Sequence, residues 1–262
     1  MKGYGIKSIS EESLNRNQLK EEEIMNEIYE LNLKFEDKSA EDILKYFLSK
    51  YENRLALASS LSIEDQVLTD IILKIDKNAK IFTLDTGRLP YETYKLLDET
   101  NTYYNYKLDI YYPQNSPVEK MVKEKGINLF YNSVEERKLC CYNRKVEPLK
   151  RALSGLDAWI CGLRKEQSVT RENLEIVEFD EGNRMLKINP ILNWTELEVL
   201  KYIKENNVPY NKLYDQNYKS IGCAPCTRPV REGEDLRSGR WWWENPDTKE
   251  CGLHINHSNN KA

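Results

Sequence analysis

Six cysteines are the clearest chemical signal in the sequence. Two residues separate Cys223 from Cys226, a spacing that places two thiolates on one metal ion or on one face of a cluster. Cys140 and Cys141 are adjacent and can supply two more thiolates. A structural zinc ion, a [4Fe-4S] cluster and a redox dithiol are all compatible with this set. Adjacent cysteines are awkward ligands for one small zinc ion, whereas a cluster offers separate iron sites, so the pattern favours iron.

The two remaining cysteines differ in their surroundings. Cys161 lies in the apolar run 159–162, which predicts a small buried side chain rather than a reactive one. Cys251 lies between Lys249 and His254, in a tail rich in Arg, Trp, Gly and Pro. Neighbouring positive charge lowers the pKa of a thiol and raises its thiolate fraction, as a nucleophile needs. Cys251 is therefore a candidate nucleophile, and the alternative is a surface cysteine that lies near Lys and His by chance.

Basic side chains form a second constellation, and most of them are expected on solvated faces. They are Arg144, Lys145, Arg164, Lys165, Arg171, Arg228, Arg231, Arg237 and Arg240. Arg164 follows a predicted strand directly, where a phosphate would bind. Arg237 and Arg240 flank a turn beside the tryptophan triplet 241–243, which is expected to pack the tail onto the body rather than to stack on an adenine. Guanidinium forks suit phosphate and sulfate oxygens.

Alternating strand and helix signals predict the scaffold that positions these groups. Apolar runs predict strands over 54–58, 80–84, 106–111 and 158–162. Helical periodicity and caps predict helices over 11–34, from 40 onward, and over 64–74, 91–100, 116–125 and 195–206. This alternation predicts an α/β fold with a parallel sheet and helices on both faces.

Polar turns follow the predicted strands and define a candidate anion site. They contain Ser59, Ser60 and Ser62 after the first strand, Asp85, Thr86 and Gly87 after the second, and Gly162 and Arg164 after the fourth. In a parallel sheet these turns converge at the carboxyl ends of the strands, where ligands bind. A strand, a polar turn and a helix in succession form a phosphate-site geometry.

The composition describes an ordinary globular chain of 262 residues, with 40% hydrophobic and 31% charged residues. No apolar run approaches the roughly 18 to 20 residues of a membrane span. The net charge of −4 argues against a nucleic-acid partner and favours a small phosphorylated molecule. Because residues 1–23 have no apolar signal-peptide core, we expect a cytoplasmic chain with reduced thiols. The sequence predicts nothing about the oligomeric state.

Taken in order, seven motifs resemble the cluster-containing reductases of adenosine 5′-phosphosulfate (APS), within the APS/PAPS reductase family. The motifs are residues 59–65, 83–88, 140–145, 162–168, 220–226, 239–244 and 249–254, so the resemblance extends along nearly the whole chain. The resemblance implies an adenine nucleotide α-hydrolase-like fold of the PP-loop, Rossmann-like type. In that fold residues 1–226 would bind the nucleotide and the cluster, and residues 227–262 would form an irregular lid that carries Cys251.

The resemblance also implies a reaction for assimilatory sulfate reduction. Cys251 would attack the sulfate sulfur of APS, release AMP and keep an S-sulfocysteine, from which thioredoxin frees sulfite. His254 would support Cys251, and Lys145 would link the cluster to the substrate. The implied ligands of a [4Fe-4S] cluster that is not the electron donor are Cys140, Cys141, Cys223 and Cys226. The implied anion ligands are Arg164, Arg171, Arg237 and Arg240.

One position departs from the family pattern. Ser62 stands where relatives usually have glycine, which implies a slightly altered turn.

Three rival functions stay open. The first is a reductase that uses the 3′-phosphorylated substrate (PAPS), alone or together with APS. Relatives that are restricted to PAPS usually lack both cysteine pairs, so the presence of the pairs favours APS. A tRNA thiolase should carry an SGGxDS-type loop, which residues 59–65 do not match. The non-enzymatic rival is a zinc-stabilised nucleotide-binding module.

Overall fold

Helices and strands alternate along the chain in the computed structural model, which describes residues 11–167, 171 and 173–245, with side chains from residue 22 onward. The helices are α1 (Glu11–Phe35), α2 (Ala40–Tyr51), α3 (Ile63–Ile75), α4 (Tyr91–Tyr104), α5 (Asn115–Lys125), α6 (Val134–Cys141), α7 (Glu147–Leu153) and α8 (Glu196–Asn206). The strands are β1 (Leu55–Ser59), β2 (Lys80–Leu84), β3 (Asp109–Tyr111), β4 (Ala158–Ile160), β5 (Val177–Asp180) and β6 (Met185–Ile188). Every predicted element is present, although β3 and β4 are shorter than predicted.

The described strands form one sheet in the order β3-β2-β1-β4-β6-β5. All neighbours pair in parallel except β5, which is antiparallel to β6 at the edge. The expected parallel sheet is confirmed, and the edge hairpin of β5 and β6 is an element that the sequence reading missed. The chain runs outward from β1 through β2 to β3 and then returns to place β4 on the other side of β1. This reversal is a switch point, where ligands bind in open α/β sheets.

Both faces of the sheet are covered, as predicted. Leu55 and Leu57 of β1 belong to one hydrophobic core together with residues of α2, α3 and α8. Ala56 of β1 and Trp159 of β4 belong to a second core, which includes Leu149 of α7. Alternate residues of a strand point to opposite faces, so a short apolar strand can supply both cores. None of the described helices is long and apolar enough to cross a membrane.

A π-helical turn, Tyr142–Val146, joins α6 to α7. The N–H of Glu147 donates to the carbonyl of Tyr142, five residues earlier. Pro148, in the first turn of α7, has no N–H, and its ring would crowd the carbonyl of Arg144 in a regular α-helix. The wider turn therefore lets the helical path continue past the proline. Lys145 lies within this turn, one helical turn after the cysteine pair that ends α6.

The segment from Thr227 to Asn245 contains no helix or strand in the described structure, in agreement with the expected irregular C-terminal part. It is nevertheless packed onto the body. Thr227 and Arg240 form an isolated antiparallel bridge, and the Trp241 side chain is buried. Glu244 forms an ion pair with Arg137 of α6 in which both side chains are buried. The division of the chain after residue 226 stays a prediction.

Candidate nucleotide cleft and cysteine site

A cleft of about 220 Å³ opens at the carboxyl ends of β1 and β4, at the switch point of the sheet. The structure brings nine of the predicted site residues to its wall: Ser59, Ser60, Ser62, Lys145, Gly162, Arg164, Arg171, Arg237 and Arg240. Apolar side chains of the strands, Phe82, Leu84 and Trp159, complete the lining. The cleft thus combines an apolar floor with cationic and hydroxyl groups, as a nucleotide site does.

The turn between β1 and α3 is held by side-chain hydrogen bonds. Ser62 caps α3, because its Oγ accepts from the N–H of Asp65 at 3.3 Å. The Asp65 carboxylate accepts from the N–H and the hydroxyl of Ser60 at 2.6 Å each. Leu61 has the positive φ of this turn, whereas the φ of Ser62 is −72°, which any residue adopts. Serine in place of glycine therefore adds no backbone strain at position 62, and the cap that its hydroxyl supplies is a contact that glycine lacks.

Close approach of the β4 loop to α3 explains the glycine at 162. A Cβ on Gly162 would lie 2.4 Å from Asp65 Oδ1 and 2.9 Å from Glu64 Cβ. Burial raises the pKa of Asp65 to about 6, against the hydrogen bonds from Ser60, which lower it. Gly162 therefore serves the packing of the cleft wall, and its predicted contact with substrate stays a prediction.

Arg164 lines the cleft but is already paired with carboxylates. Its Nε and Nη2 donate to Glu64 Oε1 at 3.0 and 2.9 Å, and its Nη1 donates to Glu166 Oε2 at 2.9 Å. The side chains of Arg164 and Glu64 are almost fully buried. This pair ties the loop after β4 to the start of α3. Arg171 donates from Nη1 to Gln167 on the same wall.

Arg240 is buried in a different environment. Its relative exposure is 7%, and no carboxylate of the described residues forms an ion pair with it. Nη1 has two long contacts of 3.5 Å, to Ser220 Oγ and Ile221 O, and Nε has no hydrogen-bond partner. A buried cation is costly unless it is paired. A bound anion in the cleft would therefore supply the negative charge and the hydrogen-bond acceptors that the Arg240 guanidinium lacks.

All four predicted ligand cysteines line one small cavity beside the cleft: Cys140, Cys141, Cys223 and Cys226. All four are free thiols. Burial raises the pKa of Cys140, and it raises the pKa of Cys226 to about 12. The same cavity is lined by the cations Arg88, Arg137, Arg144 and Lys145. As they stand, the described His, Cys, Asp and Glu side chains are not arranged as a site for a single metal ion.

The surroundings of these thiols fit a negatively charged, thiolate-ligated group. Arg144 Nε is buried without a hydrogen-bond partner, while its Nη1 donates to the carbonyl of Thr86 at 2.7 Å. The cationic side chains of the cavity would offset the charge of four thiolates and a cluster. Four thiols from α6 and from residues 223–226, together with an unsatisfied guanidinium, are therefore compatible with a [4Fe-4S] cluster.

The turn after β2 lies at the cysteine cavity and is not part of the cleft lining. Thr86 Oγ1 lies 3.2 Å from Cys223 Sγ. Asp85 accepts from the N–H of Gly87 at 2.7 Å and from the hydroxyl of Tyr94 at 2.8 Å. These contacts make the turn a support for Cys223. The predicted role of Asp85, Thr86 and Gly87 in substrate binding stays a prediction.

Lys145 lines both cavities, so one cation borders the nucleotide cleft and the cysteine site. Cys161 also lines the cleft, but it is buried, and burial raises its pKa well above the ordinary value. It is the unreactive buried thiol that its apolar run predicts. Cys251 and His254 lie outside the described residues, and so does Ser168 of the motif after β4.

Sequence reasoning missed three partners in these contacts: Glu64, Arg137 and Glu244. Arg137 donates from Nε and Nη2 to the two carboxylate oxygens of Glu244 at 2.9 Å each. Glu64 and Glu244 both belong to motifs that were recognised, yet their partners lie about a hundred residues away along the chain. No local pattern joins residues at such separations.

A cleft at the switch point of a largely parallel sheet defines an α/β nucleotide-binding protein. A sequence model of the phosphoadenosine phosphosulfate reductase domain matches residues 54–229. The chain belongs to that family of reductases. The adenosine 5′-phosphosulfate reductase of Allochromatium vinosum is 52% identical over 200 residues, which are 76% of this chain and 78% of that protein. The enzyme of the same name from Burkholderia cepacia is 49% identical over 214 residues, which are 82% of this chain and 86% of that protein.

Solved structures agree with the fold. The phosphoadenylyl-sulfate (PAPS) reductase of Candida auris, determined as a phosphate complex, is 30% identical to this chain and has a TM-score of 0.67. The match covers 86% of this chain and 100% of that one. The FMN adenylyltransferase of Candida glabrata has a TM-score of 0.51 at 16% identity, over 88% of this chain and 86% of that one, and shows the fold alone. The expected adenine nucleotide α-hydrolase-like fold is thereby confirmed.

Proposed function

We propose that this chain reduces APS to sulfite and AMP in sulfate assimilation, with thioredoxin as the reductant. The observation that carries the proposal is the shared wall of the two cavities, where Lys145 borders both the cleft at the switch point of the sheet and the cavity of the four cysteines. Membership of the reductase family and relatives named APS reductase support the reaction. The presence of both cysteine pairs favours APS over PAPS as the substrate.

Cations of the cleft would hold the phosphosulfate group. Arg240 is buried and has no described carboxylate partner, and Lys145, Arg171 and Arg237 line the same wall. In the reaction, negative charge develops on the phosphate oxygen of the departing AMP. Cations that are already fixed in a buried site stabilise this charge with little reorganisation.

The proposed nucleophile is the thiolate of Cys251, supported by His254. A bond forms between its sulfur and the sulfate sulfur, while the bond from that sulfur to the bridging oxygen breaks and AMP leaves with the electron pair. One thiolate of reduced thioredoxin then attacks Cys251 Sγ and expels sulfite. The second thioredoxin thiolate resolves the mixed disulfide, so that two electrons reach sulfate and thioredoxin ends as its disulfide. Residues 227–262 would carry Cys251 between the nucleotide and thioredoxin.

The ligands of a [4Fe-4S] cluster would be Cys140, Cys141, Cys223 and Cys226. When bound, such a cluster supplies a fixed local charge and a rigid link between α6 and residues 223–226, without donating the electrons. Lys145 would hold its ammonium group between this site and the substrate anion. Reduced thiols of this kind fit the expected cytoplasmic location.

Sulfite release by anaerobically purified protein with reduced thioredoxin tests the function. We expect kcat/KM for APS to exceed kcat/KM for PAPS by a large factor. Comparable use of PAPS would make the chain a dual or PAPS reductase and would remove the argument from the cysteine pairs. Absence of sulfite from both nucleotides, with zinc but no iron or labile sulfide bound, would support the zinc-stabilised nucleotide-binding module.

Cysteine variants separate the nucleophile from the ligands. Cys251→Ser should abolish sulfite formation and leave the iron content unchanged, and near-wild-type turnover would contradict the mechanism. Cys226→Ser should lose iron and destabilise the fold, because cluster binding is coupled to folding. Unchanged iron would exclude Cys226 as a ligand. Cys161→Ala is the matched control, since it removes a buried thiol and should keep both iron and activity.

A further inference from the structure

Trp241 contacts two guanidinium groups, one from each cavity wall. The Cζ of Arg240, which lines the cleft, lies 4.7 Å from the centroid of the Trp241 ring. The Cζ of Arg137, which lines the cysteine cavity, lies 4.5 Å from it. We propose that Trp241 is a positioning residue, which fixes the Arg240 guanidinium so that its N–H groups meet the substrate anion. The proposal rests on the proposed function, because it assigns Arg240 to the phosphosulfate group.

Arg240 needs such a support because its polar contacts are weak. Two contacts of 3.5 Å and an unpartnered Nε do not define the orientation of a planar fork. Stacking on an indole ring fixes the plane of a guanidinium and leaves its donors available to an anion. The backbone at Gly222 also packs closely against the guanidinium, since a Cβ on Gly222 would lie 2.3 Å from Arg240 Nη2.

Trp241 is itself held in place by its surroundings. Its φ is +39°, a conformation that a bulky residue adopts only when the structure around it compensates the strain. It packs with Cys140, Cys226 and Phe130 in one apolar cluster, and its N–H donates to the Cys226 carbonyl at 3.3 Å. The indole Nε1 is buried without a hydrogen-bond partner. The side chain therefore acts through its ring and not through its polar atom.

The test is a double-mutant cycle read out by the dissociation constant of AMP, with KM and kcat for APS measured beside it. Trp241→Leu should weaken AMP binding and raise KM by about tenfold, and it should lower kcat as well, because Arg240 also stabilises the charge on the departing phosphate. Trp241→Phe keeps a smaller ring and should lose about threefold. In the Arg240→Met background both substitutions should have no further effect, because the group that they position is gone. Trp242→Leu, at the half-exposed neighbouring ring, is the control and should bind AMP as wild type does.

An equal loss of AMP affinity with and without Arg240 would overturn the proposal, since it would show a general structural role. Wild-type affinity in both Trp241 variants would also overturn it. If Trp241→Leu does not fold, the cycle with Trp241→Phe decides by the same criterion. Failure of the proposed function is seen separately, as wild-type protein that binds AMP but releases no sulfite from APS. Absence of AMP binding by the wild type would overturn the positioning role as well.

Discussion

Two buried arginines line the same cleft and are held in different ways. Arg164, 2% exposed, is enclosed by Glu64 and Glu166, and its charge is compensated within the wall. Arg240, 7% exposed, has no carboxylate partner among the described residues and stacks on Trp241. The comparison teaches that burial of a cation in a cleft does not by itself define an anion site. The nearby carboxylates decide whether the positive charge is available to a ligand.

The largest expected effect is on the stability of the Arg164 wall. Arg164→Met leaves Glu64 buried without its partner, so the free energy of unfolding should fall by about 3 to 5 kcal/mol. Arg240→Met should stay within about 1 kcal/mol of wild type, because the desolvation penalty of the cation disappears together with its stacking. Urea unfolding of both variants measures the difference. The double variant Arg164→Met with Glu64→Gln should recover most of the loss, and equal stability of the two single variants would break the comparison.

The stability of the same wall should depend on pH through Asp65. Burial raises the pKa of Asp65 to about 6, so between about pH 4 and pH 6 the folded state binds more protons at this group than the unfolded state does. The contribution of Asp65 to stability therefore falls as the pH rises through this window and is constant above it. The stability of Asp65→Asn relative to wild type should increase over the window by on the order of 2 to 3 kcal/mol.

Urea unfolding of wild type and Asp65→Asn across this pH range measures the change. Asp42→Asn is the control of opposite sign, because the hydrogen bond from Ser39 lowers the pKa of Asp42. The stabilisation contributed by Asp42 is lost as the pH falls. A pH-independent difference between Asp65→Asn and wild type would contradict the burial of a charged Asp65.

Two glycines sharpen the comparison at a smaller scale. Gly162→Ala forces a methyl group against Asp65 and Glu64, which are held by hydrogen bonds, and should destabilise the fold by about 1 to 3 kcal/mol. Gly222→Ala meets the far end of the flexible Arg240 side chain and should lower stability less while weakening AMP binding. Unfolding and AMP titration on the same preparations separate the two outcomes. A larger stability loss for Gly222→Ala than for Gly162→Ala would contradict the view that the wall at Gly162 is rigid and that the Arg240 side chain can move.

The smallest effect is expected at the rim of the cleft. Lys219 and Glu196 form an ion pair of 3.1 Å with side chains 38% and 27% exposed. Solvent screens such a pair, so Lys219→Met should change the free energy of unfolding by less than about 1 kcal/mol. A loss as large as that of Arg164→Met would show that exposure does not separate these ion pairs.

Local patterns predicted much of this protein. The alternation of β1, α3, β2 and α4 follows from apolar runs and helical periodicity, and the helix predicted over 195–206 is present as α8, which begins with a capping box of Thr195 and Glu198. The edge hairpin was missed because β5 is short, is only half-buried beyond Val177 and has no continuous apolar run. The contact of Thr86 with Cys223 was not predicted, because the two residues are far apart along the chain, and the predicted role of the turn after β2 in substrate binding stays a prediction.

The sequence by itself determined the fold class, the set of four cysteines and the arginines from which the site is built, because periodicity and short spacings are properties of neighbouring residues. Only the tertiary structure decided which of those arginines keeps its charge available. The pairing of Arg164 with Glu64 joins residues about a hundred positions apart. Contact between such segments depends on the order of the strands and on the packing of the loops, for which the chain carries no local signal.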